Sequence, residues 1–173
     1  MEKQTTRQTT YLPDSRERRF LEMLAQYDAV VRRVCLMYSR ISADYEDLYQ
    51  ETVANLWRGF DKFRGEARIS TWIYRATVNT CITWLRRNAR ERNNRDLDEA
   101  ITMAAGDDLE SRQQLQMLYD LIAQLDPMEK ALVMMWLDGQ QYDEIADVMG
   151  ISRSLVAVRL HRIKDKMKKM ADA

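Results

Sequence analysis

The chain has 173 residues, 46% of them apolar and 31% charged, so it is long enough for one large domain or two small ones. Its 27 basic and 27 acidic side chains cancel, and this neutral total neither favours nor excludes nucleic acid, because the location of the charge decides that. Only five glycines and two prolines interrupt the chain, which predicts an all-α protein.

No apolar run approaches the ~20 residues that cross a bilayer, and the N-terminus lacks the apolar core of a secretory signal. The sequence therefore predicts a protein that is not integral to a membrane. Cys35 and Cys81 stand far apart within helical patterns. This favours buried thiols over a disulfide and fits a cytoplasmic location.

Two helices are predicted in the first third of the chain. An apolar stripe with gaps of four and three residues predicts a long first helix from Ser15. The stripe consists of Phe20, Leu24, Tyr27, Val31, Val34, Tyr38 and Ile41. A second helix should run from about Asp44 to Gly59, where glycine favours a stop. Its polar face carries Asp47, Gln50, Glu51 and Asn55. Carboxylates at a helix start suit the helix dipole without any function, so the pattern alone leaves a structural role equally open.

A third predicted helix has one apolar and one polar face. Gly65 permits a turn before it, and Ser70 is placed as its N-cap. The apolar face consists of Ile69, Ile73, Ala76, Thr80 and Trp84. The polar face presents Trp72, Arg75, Asn79, Thr83, Arg86 and Arg90. The preceding loop adds Lys62, Phe63, Arg64 and Arg68. On an isolated helix such a face is more often solvated surface than a binding site.

The charge is segregated along the chain although the total is neutral. Residues 84–95 contain five arginines, Arg87 among them, against one glutamate. Residues 96–110 contain six acidic residues and no basic residue. We therefore predict two small helical domains, residues 1–95 and 111–173, joined by a flexible acidic linker, residues 96–110.

The last part of the chain has a helix-turn-helix pattern. The run from Asp126 to Glu129 predicts a capping box with proline at the first helical position. A helix to about Asp138, closed by Gly139, should follow it. A short helix from Tyr142 to Met149, a turn at 150–152 and a final amphipathic helix then complete the pattern.

The outer face of the final helix is basic. Residues 153–169 carry seven lysines or arginines against one aspartate. The candidate contacts to duplex DNA are Arg153, Ser154, Ala157, Val158, His161, Arg162 and Lys164. In a major groove, arginine suits guanine edges and phosphates, whereas Val158 or Ala157 suits a thymine methyl group. The competing interpretation is a solvated C-terminal helix.

Taken together, these blocks resemble the bacterial sigma factors of the small, two-domain extracytoplasmic-function (ECF) group. The resemblance covers about residues 15–170 and is carried by three blocks of sequence. These are DYEDLYQET (44–52), FRGEARISTWIYRATVN (63–79) and LDPMEKALVMMWLDGQQYDEIADVMGISRSLVAVRLHRIK (125–164).

The resemblance implies a promoter-specific initiation factor for RNA polymerase. The face of Asp47, Gln50, Glu51 and Asn55 would contact the polymerase core. The loop and third helix, from Lys62 to Asn79, would hold the melted minus-ten element, where a stacking aromatic beside cations suits single-stranded DNA. Arg86, Arg87 and Arg90 would meet phosphate. The final helix would bind the minus-thirty-five element. Members of this family are often held inactive by an anti-sigma factor, so the resemblance implies an anti-sigma factor as a candidate partner.

The sequence departs from the family pattern at two places, and two other functions were weighed against the one that the resemblance implies. Ala157 and Val158 are apolar where the family commonly has polar residues, so base preference does not transfer. The usual Ser or Thr cap before the short helix is absent around Gln141. A stand-alone helix-turn-helix regulator is the alternative function. An enzyme is disfavoured because His161 is the only histidine and no glycine-rich phosphate loop occurs, so we expect neither a cofactor nor a metal site.

Overall fold

The computed structural model describes residues 15–39, 42–92 and 109–172. Within these ranges the backbone forms seven α-helices and no β-strand, which confirms the predicted all-α fold. The helices are α1 (Ser15–Tyr38), α2 (Ser42–Phe60), α3 (Ile69–Arg92), α4 (Leu109–Ala123), α5 (Pro127–Leu137), α6 (Tyr142–Met149) and α7 (Arg153–Ala171). None of these described helices is both long enough and apolar enough to cross a membrane.

The predicted acidic linker lies almost wholly outside the described residues. Only its last two residues, Leu109 and Glu110, are described, and both belong to α4. The helix therefore begins earlier than the composition suggested. A glutamate close to a helix N-terminus is compatible with the dipole there, so the acidic composition did not mark the helix boundary.

Helices α1, α2 and α3 pack around the apolar side chains that the spacing predicted. Leu48 and Leu56 of α2 are fully buried against α1 and α3. The ring of Phe20 meets the rings of Trp57 and Phe60 edge to face, with centroids 5.0 and 5.5 Å apart. The buried side chains of α1 are Phe20, Met23, Val31, Val34, Cys35, Met37 and Tyr38. The predicted stripe is confirmed at Phe20, Val31, Val34 and Tyr38, and Leu24 and Tyr27 are half-buried. Ile41 lies outside the described residues.

Both cysteines are buried free thiols, as the sequence predicted. Cys35 lies on α1 and Cys81 on α3. Burial raises the pKa of the Cys81 thiol well above its usual range, and its hydrogen bond with Cys35 adds to this effect. The two thiols are therefore part of the packing between α1 and α3.

Two predicted helix boundaries are wrong. Gly59 does not end α2, which continues to Phe60. A Cβ atom at Gly59 would lie 3.2 Å from Cζ2 of Trp72, so the glycine allows α3 to approach α2 closely. Ser70 is not an N-cap, because α3 begins at Ile69 and the N–H of Trp72 already bonds the carbonyl of Arg68 at 3.1 Å. At Gly59 a close tertiary contact replaced the role that the local pattern indicated, whereas at Ser70 the helix begins one residue earlier than that pattern suggested.

α3 is buried over a wider arc than its predicted apolar face. Ile73, Thr80 and Trp84 are buried as expected, and so are Tyr74 and Val78. The reason is that α1, α2 and α6 all contact this helix. α3 is therefore in contact with helices of both halves of the chain.

The second half of the chain folds as the sequence indicated. Asp126 accepts hydrogen bonds from the N–H groups of Met128 and Glu129 at 2.9 and 3.0 Å, and the Glu129 carboxylate accepts from the Asp126 N–H at 3.2 Å. This completes the predicted capping box. Gly139 follows α5 with φ of 76°.

The predicted helix-turn-helix is confirmed. α6 ends at Gly150, whose φ of 66° is in the left-handed region that favours glycine. Ser152 then caps α7 by accepting a hydrogen bond from the Leu155 N–H at 3.2 Å. Buried side chains of α6 and α7, including Ile145, Ala146 and Val156, form the contact between the two helices.

The two halves also pack against each other. α5 and α4 contact α1, and α6 contacts α3. The buried hydroxyl of Tyr38 on α1 donates to the carbonyl of Pro127 at 2.5 Å. Arg33 on α1 forms an ion pair of 2.8 Å with Asp138, which also accepts a hydrogen bond from the hydroxyl of Tyr74. This contact between the halves has no counterpart in the local sequence patterns.

Candidate nucleic-acid interface

The polar face of α2 has four residues, of which two are exposed to solvent and two are bonded to α3. Asp47 and Gln50 are exposed to solvent. Glu51 and Asn55 are half-buried and bind α3 instead. Asn55 donates from its side-chain nitrogen to the hydroxyl of Thr80 at 3.1 Å. Of the four predicted polymerase contacts, Asp47 and Gln50 are therefore best placed to meet a partner.

Glu51 forms a two-pronged ion pair with Arg87. The two guanidinium nitrogens lie 3.1 and 2.6 Å from the two carboxylate oxygens. This geometry is the paired fork of Arg and carboxylate, and it raises the pKa of the Arg87 guanidinium. One residue predicted to contact the polymerase is thus joined to one predicted to contact DNA.

The loop between α2 and α3 forms an open cavity of about 570 Å³. Gly65 allows the turn that shapes it, with φ of 74°. Its wall includes the half-buried ring of Phe63 and the exposed cations Lys62 and Arg64. The remaining lining residues are Asp61, Glu66 and Ala67. An aromatic wall beside cations has the chemistry that an unstacked base requires.

Trp72 supports this loop more than it faces solvent. Its ring lies 5.4 Å from the ring of Phe63, with the two planes tilted by 42°. Cζ2 of the same ring lies so close to Gly59 that a Cβ atom added there would be 3.2 Å from it. The sequence placed Trp72 at the head of an exposed face, whereas the structure makes it half-buried. Phe63, which also lines the cavity, is therefore the aromatic residue closer to the site.

Two arginines of the predicted minus-ten surface are bound to α6. The guanidinium of Arg75 donates to the backbone carbonyls of Asp147 and of Val148, the latter at 3.2 Å. Arg68 forms an ion pair of 2.5 Å with Glu144. Asn79 and Arg86 remain exposed further along α3. The side chain of Arg90 lies outside the described part of the structure.

The outer face of α7 is open to solvent. Arg153, Ser154, Val158, His161, Arg162 and Lys164 are exposed, and Ala157 is half-buried. The Lys164 ammonium lies 3.8 Å from the ring centroid of Trp136, a cation–π contact that fixes this part of α7 to α5. Arg153 lies 3.4 Å from Asp143, and His161 lies 3.5 Å from Asp165. The predicted duplex-binding residues therefore share one accessible helix face.

Sequence reasoning missed the residues that join the halves, above all Arg33, Tyr74 and Asp138. Burial raises the pKa of the Asp138 carboxyl above its usual range, and the ion pair with Arg33 opposes that rise. The sequence pattern indicates Asp138 only as the end of a helix. No local pattern could reveal its role, since its partners lie more than sixty residues away in the chain.

Among the described residues there is no group of three or more His, Cys, Asp or Glu side chains that could hold a metal ion. Two buried side-chain atoms, Nε of Arg33 and Oγ1 of Thr77, have no hydrogen-bond partner in the described part of the chain. Arg33 lies on α1 and Thr77 on α3.

Comparison with known proteins matches the two halves of the chain to two families. Residues 23–91 match the family described as Sigma-70 region 2, and residues 115–167 match the family described as Sigma-70, region 4. The chain is 30% identical over 137 residues to the ECF RNA polymerase sigma-E factor of Escherichia coli (strain K12), covering 72% of each chain. It is 27% identical over 135 residues to the protein of the same name from Haemophilus influenzae, covering 70% of this chain and 71% of that one.

Solved structures share the fold. The sigma factor RpoE in complex with the anti-sigma factor NepR from Bartonella quintana superposes with a TM-score of 0.71 at 18% identity, over 90% of this chain and 98% of that chain. CnrH in complex with the cytosolic domain of CnrY gives a TM-score of 0.66 at 19% identity, over 90% of this chain and 88% of that chain. At these identities the likeness concerns the fold alone.

A stand-alone helix-turn-helix regulator is not favoured by these findings, because region 2 is matched as well as region 4. The two regions occur in the order that the sequence predicted. With the all-α fold and the identity to the sigma-E factors, they show that this chain belongs to the ECF group of bacterial RNA polymerase sigma factors.

Proposed function

We propose that this sigma factor binds the RNA polymerase core through α2 and directs it to promoters by contacting DNA with two separate surfaces. Residues 1–95 would form the region 2 domain and 111–173 the region 4 domain. The protein would act in the cytoplasm and perform no catalysis of its own. The observation that carries the proposal is that α2 and α7 each expose a polar face within the two matched regions.

In region 2, we assign residues to the polymerase or to DNA according to which side chains are exposed. The exposed side chains Asp47 and Gln50 would contact the polymerase. The cavity beside Phe63, flanked by Lys62 and Arg64, would take one base of the opened minus-ten strand. Arg68, Trp72, Arg75, Asn79 and Arg86, with Arg87 and Arg90, would form the surrounding surface that positions the strand through its bases and phosphates.

In region 4, α7 would enter the major groove of the minus-thirty-five duplex. Its exposed N-terminal half, beginning with Arg153 and Ser154, is the part of a recognition helix that reaches base edges. Arg162 and Lys164, further along, would meet phosphate. The contacts of Glu129 with Lys166 at 2.6 Å and of Trp136 with Lys164 support the orientation of α7 on α5.

Transcription with purified components tests the proposal. Core polymerase plus this protein should give transcripts that start at defined positions on genomic DNA, and core alone should not. Absence of specific starts with active core would contradict the proposal. Replacing Asp47 and Gln50 together by alanine should weaken core binding by at least about tenfold, or ~1.4 kcal/mol. The matched control is Glu22→Ala with Gln26→Ala, which removes an exposed acid and an exposed amide from α1.

A further inference from the structure

The C-terminal end of α2 is held by an arginine of α1. Nε of Arg16 lies 2.9 and 2.8 Å from the two carboxylate oxygens of Asp61, and Nη2 donates to the backbone carbonyl of Trp57 at 3.2 Å. Trp57 belongs to the last turn of α2, and Asp61 directly follows the helix. A cation is favourable there, because the carbonyls at a helix C-terminus carry partial negative charge. Arg16 therefore fixes the point at which the chain leaves α2.

Aromatic packing holds the guanidinium of Arg16 in this place. Its Cζ atom lies 3.7 Å from the ring centroid of Trp57, a cation–π contact. The ring of Phe20 meets the same tryptophan edge to face. Arg16 is half-buried, whereas Asp61 is exposed. The arginine thus has contacts that do not depend on Asp61, and Asp61 is the partner that lies toward solvent.

Asp61 is also part of the wall of the cavity between α2 and α3. The next two residues, Lys62 and Phe63, line the same cavity. Their N–H groups bond the carbonyls of the last two residues of α2, at 2.9 and 3.2 Å. This tight turn connects the position of Asp61 to that of the cation and the ring. Through Asp61, Arg16 therefore reaches the residues whose chemistry suits an unstacked base.

A carboxylate in this wall disfavours DNA unless its charge is neutralised. The phosphate beside a bound base would approach the cations Lys62 and Arg64, and an unpaired Asp61 would repel it. An unpaired Asp61 would also compete with the phosphate for these two cations, which are its near neighbours in the chain. The ion pair with Arg16 removes both effects.

We propose that Arg16 is a positioning residue of the minus-ten cavity: it neutralises Asp61 and fixes the turn, which leaves Lys62 and Phe63 to hold an unstacked base and its phosphate. The inference rests on the proposed function in one respect, the assignment of this cavity to a base of the opened strand. Arg16 lies before the residues that match Sigma-70 region 2, which begin at residue 23. The first turn of α1 thereby contributes to the promoter-opening surface.

The test removes the charge of Arg16 and then the charge that it neutralises. Arg16→Gln keeps a planar group over the Trp57 ring, and Asp61→Asn keeps the shape of the carboxylate. Affinity for a fluorescein-labelled, mixed-sequence single-stranded DNA is measured by anisotropy on the full chain bound to polymerase core, with core alone as the blank. We expect Arg16→Gln to bind about fivefold more weakly, as expected for the loss of one cation–phosphate contact. Adding Asp61→Asn should restore affinity to within about twofold of the unmodified chain, because the loss acts through Asp61.

A second ion pair of α1 provides the matched control. Arg32 lies 2.5 Å from Asp28 and, like Arg16, stacks over an aromatic ring of α2, with Cζ 4.3 Å from the centroid of Tyr49. Arg32→Gln, alone and with Asp28→Asn, changes the net charge by the same amounts as the test variants. The cavity wall contains none of these control residues. Their DNA affinity should therefore stay within about twofold of the unmodified chain.

Thermal unfolding of every variant is measured before DNA is added. An ion pair with an exposed carboxylate contributes little to stability, so Arg16→Gln should change DNA affinity more than unfolding. If Arg16→Gln does not fold, Arg16→Met, which keeps an apolar chain over Trp57, takes its place with the same expected result. Phe63→Ala completes the set, because it removes the aromatic wall itself and should weaken DNA binding.

Three outcomes overturn the inference. Affinity that stays low after Asp61→Asn is added would mean that Arg16 does not act through Asp61. Equal losses in Arg16→Gln and Arg32→Gln would mean a general charge effect. Unchanged affinity in Arg16→Gln beside a loss in Phe63→Ala would mean that the cavity holds a base without help from Arg16.

Failure of the proposed function would look different. If Phe63→Ala leaves DNA affinity unchanged, the assignment of the cavity is wrong, and the role of Arg16 is wrong with it. If the unmodified chain forms no complex with polymerase core, the proposed function fails before any DNA is added. The Arg16 variants separate from both cases, because their expected loss is reversed by a second substitution at Asp61.

Discussion

The carboxylate of Glu51 on α2 forms a bidentate ion pair with the guanidinium of Arg87 on α3, with nitrogen–oxygen distances of 3.1 and 2.6 Å. The pair joins the helix proposed to bind polymerase to the helix proposed to bind DNA. While Arg87 is paired with Glu51, the carboxylate offsets its positive charge, and the attraction of Arg87 for a DNA phosphate is weaker. The two sites are thus electrostatically linked through one ion pair.

Substituting Glu51→Gln should release Arg87 for phosphate. We expect affinity for single-stranded DNA to rise about threefold, since one cation becomes available and each phosphate contact adds salt-dependent affinity. The gain should shrink at higher salt. Fluorescence anisotropy with labelled DNA at two salt concentrations measures both effects. A fall in DNA affinity would show that Glu51 positions Arg87 for DNA rather than withholding it.

The two asparagines of the predicted surfaces should behave differently. Asn55→Ala removes the bond to Thr80 from a half-buried position and should lower the free energy of unfolding by about 1 kcal/mol. Asn79→Ala, at an exposed position, should leave stability almost unchanged and weaken binding of single-stranded DNA. Denaturant unfolding and DNA anisotropy separate the two effects. Equal destabilisation by both substitutions would contradict the structural role given to Asn55.

The N-terminus of α6 should gain stability from a better cap. Gln141 occupies the N-cap with extended backbone, and the Glu144 carboxylate accepts from its N–H at 2.9 Å. Gln141→Ser should add the missing side-chain acceptor and raise stability by about 0.5–1 kcal/mol. Ser152→Ala at the cap of α7 provides the opposite control and should cost about 1 kcal/mol. Thermal unfolding measures both. No gain at Gln141 would mean that the existing cap already satisfies the helix end.

Tyr49 should make stability fall at alkaline pH. Burial raises the pKa of its phenol from 10.0 to about 12, and the hydrogen bond that it donates to Asp28 adds to the rise. The folded state therefore favours the neutral phenol. This contribution is complete below the unfolded pKa of 10.0 and is lost as the pH rises through about 12.

Tyr49→Phe isolates that effect. Free energies of unfolding measured between pH 10 and pH 12 should fall less steeply for Tyr49→Phe than for the unmodified chain. The slopes of the two curves should differ only in this interval, because below pH 10 the phenol is neutral in both the folded and the unfolded state. Parallel curves would show that the Tyr49 phenol titrates in the same way in the folded and unfolded states.

Periodicity and caps determined the helices, because these depend on neighbours three or four residues away. The spacing of Phe20, Val31 and Val34 sufficed for α1, and the capping box at Asp126 sufficed for the start of α5. Gly150 and Ser152 likewise marked the turn between α6 and α7. Exposure of the α7 face also followed from its pattern.

What each polar residue binds was decided only by the tertiary structure. Glu51, Asn55, Arg68 and Arg75 all belong to predicted contact faces, yet each has a partner on another helix. Gly59 was predicted to end a helix and instead makes room for Trp72. A hydrogen bond or close approach between distant segments depends on how helices cross. Spacing within one helix carries no information about that crossing, which is why the contact of α6 with α3 could be found only in the folded chain.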